Sequence, residues 1–411
     1  MFDGRATAIV RFSDIRIGDR VEYSYTVTGR NPAVRDNDSR SFSIGFGAPV
    51  ERMFIRSSWS EHAPVSHQLL GPDPVEQPAF GIREGNQSIS FGPVATPPFP
   101  GERGSPTWVR QLPTLQVTDY QNWYEVSRWS EPYYEPQLSA SVIEIAERIR
   151  AQHETHDAQL IAALRFVQDE VRYLAISFGA GGYVPASPDE TLERRYGDCK
   201  AKTVLLISLL DALGIEAEAV LVHTTRGHGL LEALPSHLAF NHVIVRAFID
   251  GNAYWLDGTK REQGGDLQVL TQPDFGHALP VGDNGFALVR MQAPDTDEPL
   301  IFSSEELVVQ SVAGNAVVNL EFVGRGDGAD QLRANLSQSG RADLEEQLRD
   351  FYSTRYGAVT PSSGLIVEDD REANLVRWSM TFEVDNVLSE HEDGSRQRIA
   401  GFRAGGLCPS H

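Results

Sequence analysis

Two apolar runs, Phe240 to Ile249 and Asn252 to Asp257, are separated by nothing but Asp250-Gly251. An Asp-Gly pair between such runs is the strongest short-range signal for a two-residue β-hairpin, because the favoured turn needs positive φ at both central positions. A two-residue loop also fixes the register. Ile249 then pairs with Asn252, and Asp257 falls opposite Ile244. His242 lies two residues further along the same strand, so His242 and Asp257 share one sheet face as diagonal neighbours, with backbones roughly 7–8 Å apart. A slip of one residue would send the two side chains to opposite faces. The arrangement suits an acid that orients an imidazole.

A proton carrier of this kind needs a partner, and Arg195-Tyr-Gly-Asp-Cys-Lys-Ala-Lys-Thr203 offers one. Asp198 reads as an N-cap, and the apolar run behind it predicts a helix from Cys199 to about Leu213, stopped by Gly214. A cysteine in the first turn faces unpaired amide N–H groups and the positive end of the helix dipole. Both favour a thiolate over a thiol. Cys199 is therefore the candidate nucleophile, although a lone cysteine at a helix start is more often buried structure.

The order Val171-Arg-Tyr173, Gly181-Gly-Tyr-Val-Pro185, Arg195-Tyr-Gly-Asp-Cys-Lys200, Leu213-Gly-Ile215, Phe240-Asn-His242 and Tyr254-Trp-Leu-Asp-Gly-Thr259 resembles the transglutaminase-like superfamily in both residue types and spacing. The resemblance covers roughly residues 136 to 290. It implies a papain-like triad, with Cys199 in the place of the nucleophile, His242 in that of the base and Asp257 in that of the orienting acid. That context reverses the bland reading of the cysteine. It also implies two oxyanion donors, the backbone N–H of Cys199 and, as a candidate that could equally be core, Tyr173. One departure stands out: the family's end motif usually reads Asp-Pro-Thr, and this chain has Asp257-Gly-Thr259. Upstream, Gly18 to Thr26 and Trp123 to Trp129 are similar to an uncharacterised β-rich domain that precedes this core in many bacterial envelope proteins.

These readings divide the chain into a β-rich N-terminal domain at 1–135, a transglutaminase-like cysteine core at 136–290 and a β-rich C-terminal domain at 291–411. The expected fold class is α+β, a papain-like core between a β-sandwich-like domain and a second β-rich one. The first segment alternates in short runs such as Arg20 to Val27 between Gly/Pro-rich loops. Its Trp123, Tyr124 and Trp129 are expected to pack rather than stack on a ligand. Helical periodicity appears at Ala140 to Ile149 and at Ala158 to Val171, where Leu160, Ile161, Leu164 and Val167 recur on one face. The glycine-rich Phe178 to Tyr183 reads as a cleft wall. In the last segment, Leu307 to Val309, Ala316 to Leu320 and Leu375 to Phe382 read as strands around one helix near Ala342 to Tyr352, and Arg325-Gly326-Asp327 reads as a tight turn.

A formal charge of −21 argues against phosphate backbones as partners, so nucleic acid is not expected. The longest apolar run, Val204 to Leu210, is far short of a membrane span, and no stable membrane insertion is expected. The two cysteines, Cys199 and Cys408, are both expected reduced, since a bridge would consume the nucleophile. Met1 to Thr7 lacks signal-peptide features, which points to the cytoplasm as given. A truncated start would instead place the protein in the periplasm or outside the cell. His223, His228 and His237 follow no zinc spacing, so neither metal nor other cofactor is expected.

The chemistry that fits is a cofactor-free cysteine enzyme acting on protein or peptide amides through a thioester on Cys199. Water resolving the thioester makes a peptidase or amidase; an amine makes an acyltransferase. The alternative is a catalytically silent peptide- or envelope-binding protein on the same fold. Sequence leaves the substrate and the oligomeric state open.

Overall fold

The computed structural model describes residues 11–34, 37–175, 179–291, 299–310 and 315–385, with the backbone of 388–390 and 396–398. Met1 to Thr7, Phe178 and the tail carrying Cys408 lie outside the described residues. The chain divides into two compact units: residues 1–153, 170–259 and 274–292 in the first, and 154–169, 260–273 and 293–411 in the second. The α+β class with β-rich flanks holds. Among the described residues no helix is long and apolar enough to cross a membrane.

The first unit begins with six strands, β1 (Ser39–Ser43), β2 (Val50–Ser60), β3 (Ser66–Leu70), β4 (Ala79–Arg83), β5 (Asn86–Thr96) and β6 (Thr114–Thr118). They form two antiparallel sheets in the orders β1-β6-β3 and β2-β5-β4. Alternation along each strand sends Leu115 and Val117 from one sheet, and Trp59, Ile89 and Phe91 from the other, into a shared apolar cluster. Arg20 to Val27 does not join them. The run has strand-like alternation but pairs with no described strand, and Tyr23, Tyr25 and Val27 are more than three-quarters exposed. Alternation marks a half-buried strand only where a sheet edge is there to receive it.

The core of this unit follows as α1 (Trp123–Ser130), α2 (Ala140–Gln152), then, after α3 (His156–Glu170), which belongs to the second unit but for its last residue, β7 (Arg172–Tyr173), α4 (Pro188–Arg194), β8 (Tyr196–Gly197) and α5 (Cys199–Leu213), then β9 (Glu216–Val222), β10 (His242–Ile249), β11 (Asn252–Leu256), β12 (His277–Pro280) and β13 (Val289–Arg290). Local chemistry sets the helix ends. Ser187 and Glu190 close a capping box on α4, which stops at Arg195 in the left-handed region, φ 56°. The Asp198 side chain accepts from Ala201 N to start α5, and Gly214 at φ 79° ends it. Twelve of the fifteen α5 residues are buried, so this helix has no solvent face and acts as the central pillar of the unit. Each of Val204, Leu205, Leu206, Leu209 and Leu210 contributes roughly 1.5–3 kcal/mol by burial. α5 packs against α2, α4, β9 and β10. The sheet beside it is antiparallel, in the order β11-β10-β9-β12-β13.

In the second unit, β14 (Ile301–Val309), β15 (Ala316–Arg325), β16 (Val359–Pro361), β17 (Ile366–Asp370) and β18 (Leu375–Val384) build an antiparallel sheet, with β17 pairing β18 off the main path. Two helices, α6 (Asp327–Ser339) and α7 (Arg341–Tyr356), supply Ala329, Leu332, Leu344 and Tyr352 to the core formed with Val318, Leu320, Trp378, Met380 and Phe382. One helix was expected here, and there are two. The Arg325-Gly-Asp327 turn exists, with Gly326 at φ 53°, but it is the entry to α6. The apolar positions 329, 332 and 336 of α6 are spaced for one helical face, and the polar residues between them hid that face from a composition-led reading.

Candidate active site

The hairpin forms in the register its turn dictates: Ile249 pairs with Asn252 and Val245 with Leu256, across Asp250 at φ 50° and Gly251 at φ 80°. Asp257 follows the last pair and lies across from Ile244. The consequence is a direct contact, with His242 Nε2 2.8 Å from Asp257 Oδ2. Both side chains are nearly buried, 9% and 5% exposed. His242 is also paired on the other side, since its side chain hydrogen-bonds that of Cys199. Because Nε2 is committed to Asp257, the nitrogen facing the sulfur is Nδ1.

The electrostatics follow from that sandwich. Burial by itself pulls the His242 pKa down, but Asp257, and then Cys199, more than reverse this and raise it to about 10. Burial pushes the Asp257 carboxyl up, and the His242 charge and hydrogen bond with two bonds from Thr259 outweigh it, so it ends below its usual value. Those two bonds come from Thr259 N at 2.8 Å and Thr259 Oγ1 at 2.7 Å, both to Oδ1. Glycine in place of proline at 258 leaves the turn able to hold the acid through Thr259.

Cys199 is half-buried at the first position of α5, where its backbone N–H has no helical acceptor. The start of the helix is held tightly. Asp198 pairs with Lys200, both buried, and Thr203 Oγ1 donates to the Val243 carbonyl at 3.3 Å, tying α5 to the strand that carries His242. A side chain at Gly197 would place its Cβ 3.0 Å from Ala201 Cβ and 3.2 Å from Thr191 Cγ2, which explains the glycine two residues before the cysteine. Cys199, His242, Tyr173, His237 and Trp129 all line one cavity of about 140 Å³.

With the geometry in hand, residues 143–257 match the family model of the transglutaminase-like superfamily. The core is a transglutaminase-like domain. Residues 1–78 match a domain of unknown function with a solved structure, DUF3857. Among curated proteins no sequence match was found. The chain is similar in fold to a candidate protease from Parabacteroides distasonis at 12% identity and a TM-score of 0.51, over 86% of this chain and 70% of that one. Two looser superpositions are with a candidate cysteine protease from Cytophaga hutchinsonii (14% identity, TM-score 0.26, 55% and 75% covered) and the periplasmic domain of TgpA from Pseudomonas aeruginosa (16% identity, TM-score 0.22, 56% and 84% covered).

Within the transglutaminase-like domain, Tyr173 reaches the site through a two-residue parallel pairing: β7 runs beside β8, and Leu174 N donates to the Gly197 carbonyl at 3.0 Å. Burial, with Cys199 and Asp198 nearby, raises its pKa to about 12, so its hydroxyl stays a donor at neutral pH. Trp123 packs edge-on against Phe240, and Tyr124 stacks on Phe286. Trp129 packs too, but it also faces the cavity. Gly182 and Tyr183, from the glycine-rich stretch, form part of the wall. Of the three loop histidines, His223 accepts backbone bonds through Nδ1, His228 lies 3.5 Å from Asp274 and His237 lines the cavity. The sequence reading missed Thr259, whose Asp-x-Thr spacing signals a side-chain-held turn. It also missed Lys200 and His237, for which no local pattern exists.

Proposed function

We propose that this protein is a cysteine enzyme that cleaves or transfers acyl groups of peptide or protein amides through a thioester on Cys199. The observation that carries the reading is the His242 ring held between the Cys199 side chain and Asp257, with Nε2 2.8 Å from Oδ2, at the edge of a cavity. The proton given up by Cys199 is held on Nδ1 of the imidazolium that the raised His242 pKa favours, and the sulfur attacks the amide carbonyl carbon. The resulting oxyanion accepts from the Cys199 backbone N–H, with the Tyr173 hydroxyl as second donor. The C–N bond then breaks and the departing nitrogen takes the proton back from His242, leaving the thioester. Water or an amine, deprotonated by the same imidazole, releases the acyl group. Asp257 keeps the ring oriented and compensates its charge throughout.

The test is the pH dependence of iodoacetamide labelling at Cys199, read by peptide mass so that Cys408 is resolved separately. Rapid labelling at about pH 6, well below the ordinary thiol range, that falls on the order of 100-fold in His242→Ala is expected. Slow labelling indifferent to that substitution refutes the enzyme reading and favours a binding protein.

A further inference from the structure

The cavity wall holds a polar side chain that the reaction above leaves unused. His237 opens the short 3-10 turn His237–Ala239, where Ser236 Oγ accepts from Leu238 N at 3.0 Å. It is only 8% exposed, and its ring sits among Trp129, Tyr183 and Tyr120, with centroids 5.4, 5.5 and 5.8 Å away. Nδ1 is enclosed without a hydrogen-bond partner, and neither ring nitrogen bonds a described residue. A buried N–H with no acceptor is rarer than a buried lone pair with no donor, so the proton belongs on Nε2. The ring lines the cavity that contains Cys199, and Nε2, unlike Nδ1, is not a fully enclosed unpartnered atom, which leaves its N–H as the donor available to a molecule in that cavity. Burial, against a weaker upward pull from Asp38, holds the pKa near about 4, so the ring is uncharged at neutral pH.

We propose that His237 is a substrate-binding residue, donating Nε2–H to a main-chain carbonyl oxygen on the acyl side of the scissile amide, while Trp129 and Tyr183 cover an uncharged side chain beside it. The inference rests on Cys199 acting on amides. A neutral donor among aromatic rings compensates a carbonyl but not the desolvation of a carboxylate. The lysine of the wall, Lys200, is already paired with Asp198. A cavity of about 140 Å³ is the size of a side chain. Only the acyl portion remains bound through the thioester stage, so a fixed donor sharing a cavity with the sulfur serves that portion.

Two thiol reagents separate the possibilities: iodoacetamide, which carries no peptide, and acetyl-alanyl-phenylalanyl chloromethyl ketone, which presents an uncharged peptide on the acyl side. Rates are normalised to those with glutathione. In His237→Phe, which keeps a ring but removes both nitrogens, the peptidyl rate at Cys199 should fall about tenfold and the iodoacetamide rate stay within about twofold. His237→Gln, whose amide nitrogen can take the place of Nε2, should recover most of the loss. Equal rates for wild type and His237→Phe with the peptidyl reagent, or a glutamine variant no better than phenylalanine, would overturn the role assigned to the ring nitrogen. If instead wild-type iodoacetamide labelling is slow and indifferent to His242→Ala, the nucleophile assignment itself fails, and this inference falls with it.

Discussion

Asp257 and Lys260 are three residues apart in sequence, yet each belongs to a buried ionic cluster with a different logic. Around Lys260, in the second unit, every charge is met. Its Nζ lies 2.7 Å from Asp327 and 3.1 Å from Asp330, Asp330 also receives Gly264 N and Arg333, and Arg333 reaches on to Asp369 and Asn374. Around Asp257, the chain of contacts ends on a half-buried sulfur at a cavity. A network whose charges all meet one another can only hold a fold together; one that terminates on an ionisable atom beside open space can exchange a proton with an incoming molecule.

Breaking the Lys260 cluster should have the largest effect on stability and the least on reactivity. Arg333→Met takes one cationic partner from Asp330, which keeps Lys260 and Gly264 N, and leaves the partly exposed Asp369 to water; it is expected to destabilise by about 1–3 kcal/mol in denaturant unfolding, with Cys199 labelling unchanged in the folded protein. A loss of labelling there would erase the contrast. Asp257→Asn should do the reverse. It removes the charge that holds the His242 imidazolium, so the labelling rate at neutral pH should fall about 10- to 100-fold.

The two clusters should also part company along the pH axis. His242 is raised to about 10, so its contribution to stability is complete below its unfolded value of about 6.5 and drains away as pH climbs toward about 10. Asp257 is lowered, so its contribution is complete above about 4 and is lost as pH falls through its depressed value. The stability difference between wild type and His242→Gln should therefore plateau between about pH 4 and 6.5 and shrink above it. For Lys260, burial lowers the pKa, but Asp330 and Asp327 raise it above the ordinary lysine value, so the plateau of Lys260→Met should persist to about pH 10. Coincident profiles would mean that the clusters are of one kind. The smallest effect is expected from Thr259→Val, which removes one of the two bonds to Asp257 Oδ1 and should cost about 0.5–1.5 kcal/mol, read as a few-fold slower labelling.

What could be read in advance follows the range of the physics involved. The hairpin register and both ends of α5 depend on neighbours within a few residues, Asp250-Gly251, Asp198 and Gly214, and the structure has them as expected. The proximity of Tyr173 came from family resemblance alone, since the two-residue pairing that delivers it has no sequence signature. His237 lay in a loop dismissed for lacking zinc spacing, and its aromatic surroundings are drawn from residues 120, 129 and 183. Arg20 to Val27 failed in the opposite direction: its local pattern was strong, but a strand also needs a neighbour, and alternation does not report one.

The tight seat of Gly197 bears on how this chain would age under relaxed selection. Its missing side chain answers to Ala201 and Thr191, both scaffold, and not to any reacting atom. A descendant that abandoned chemistry would be free to drift at Cys199 or His242 while still being purged for any substitution at 197. Persistence of that glycine in a lineage is thus a record of folding, and loss of the sulfur beside an intact glycine is the pattern that would mark a retired enzyme.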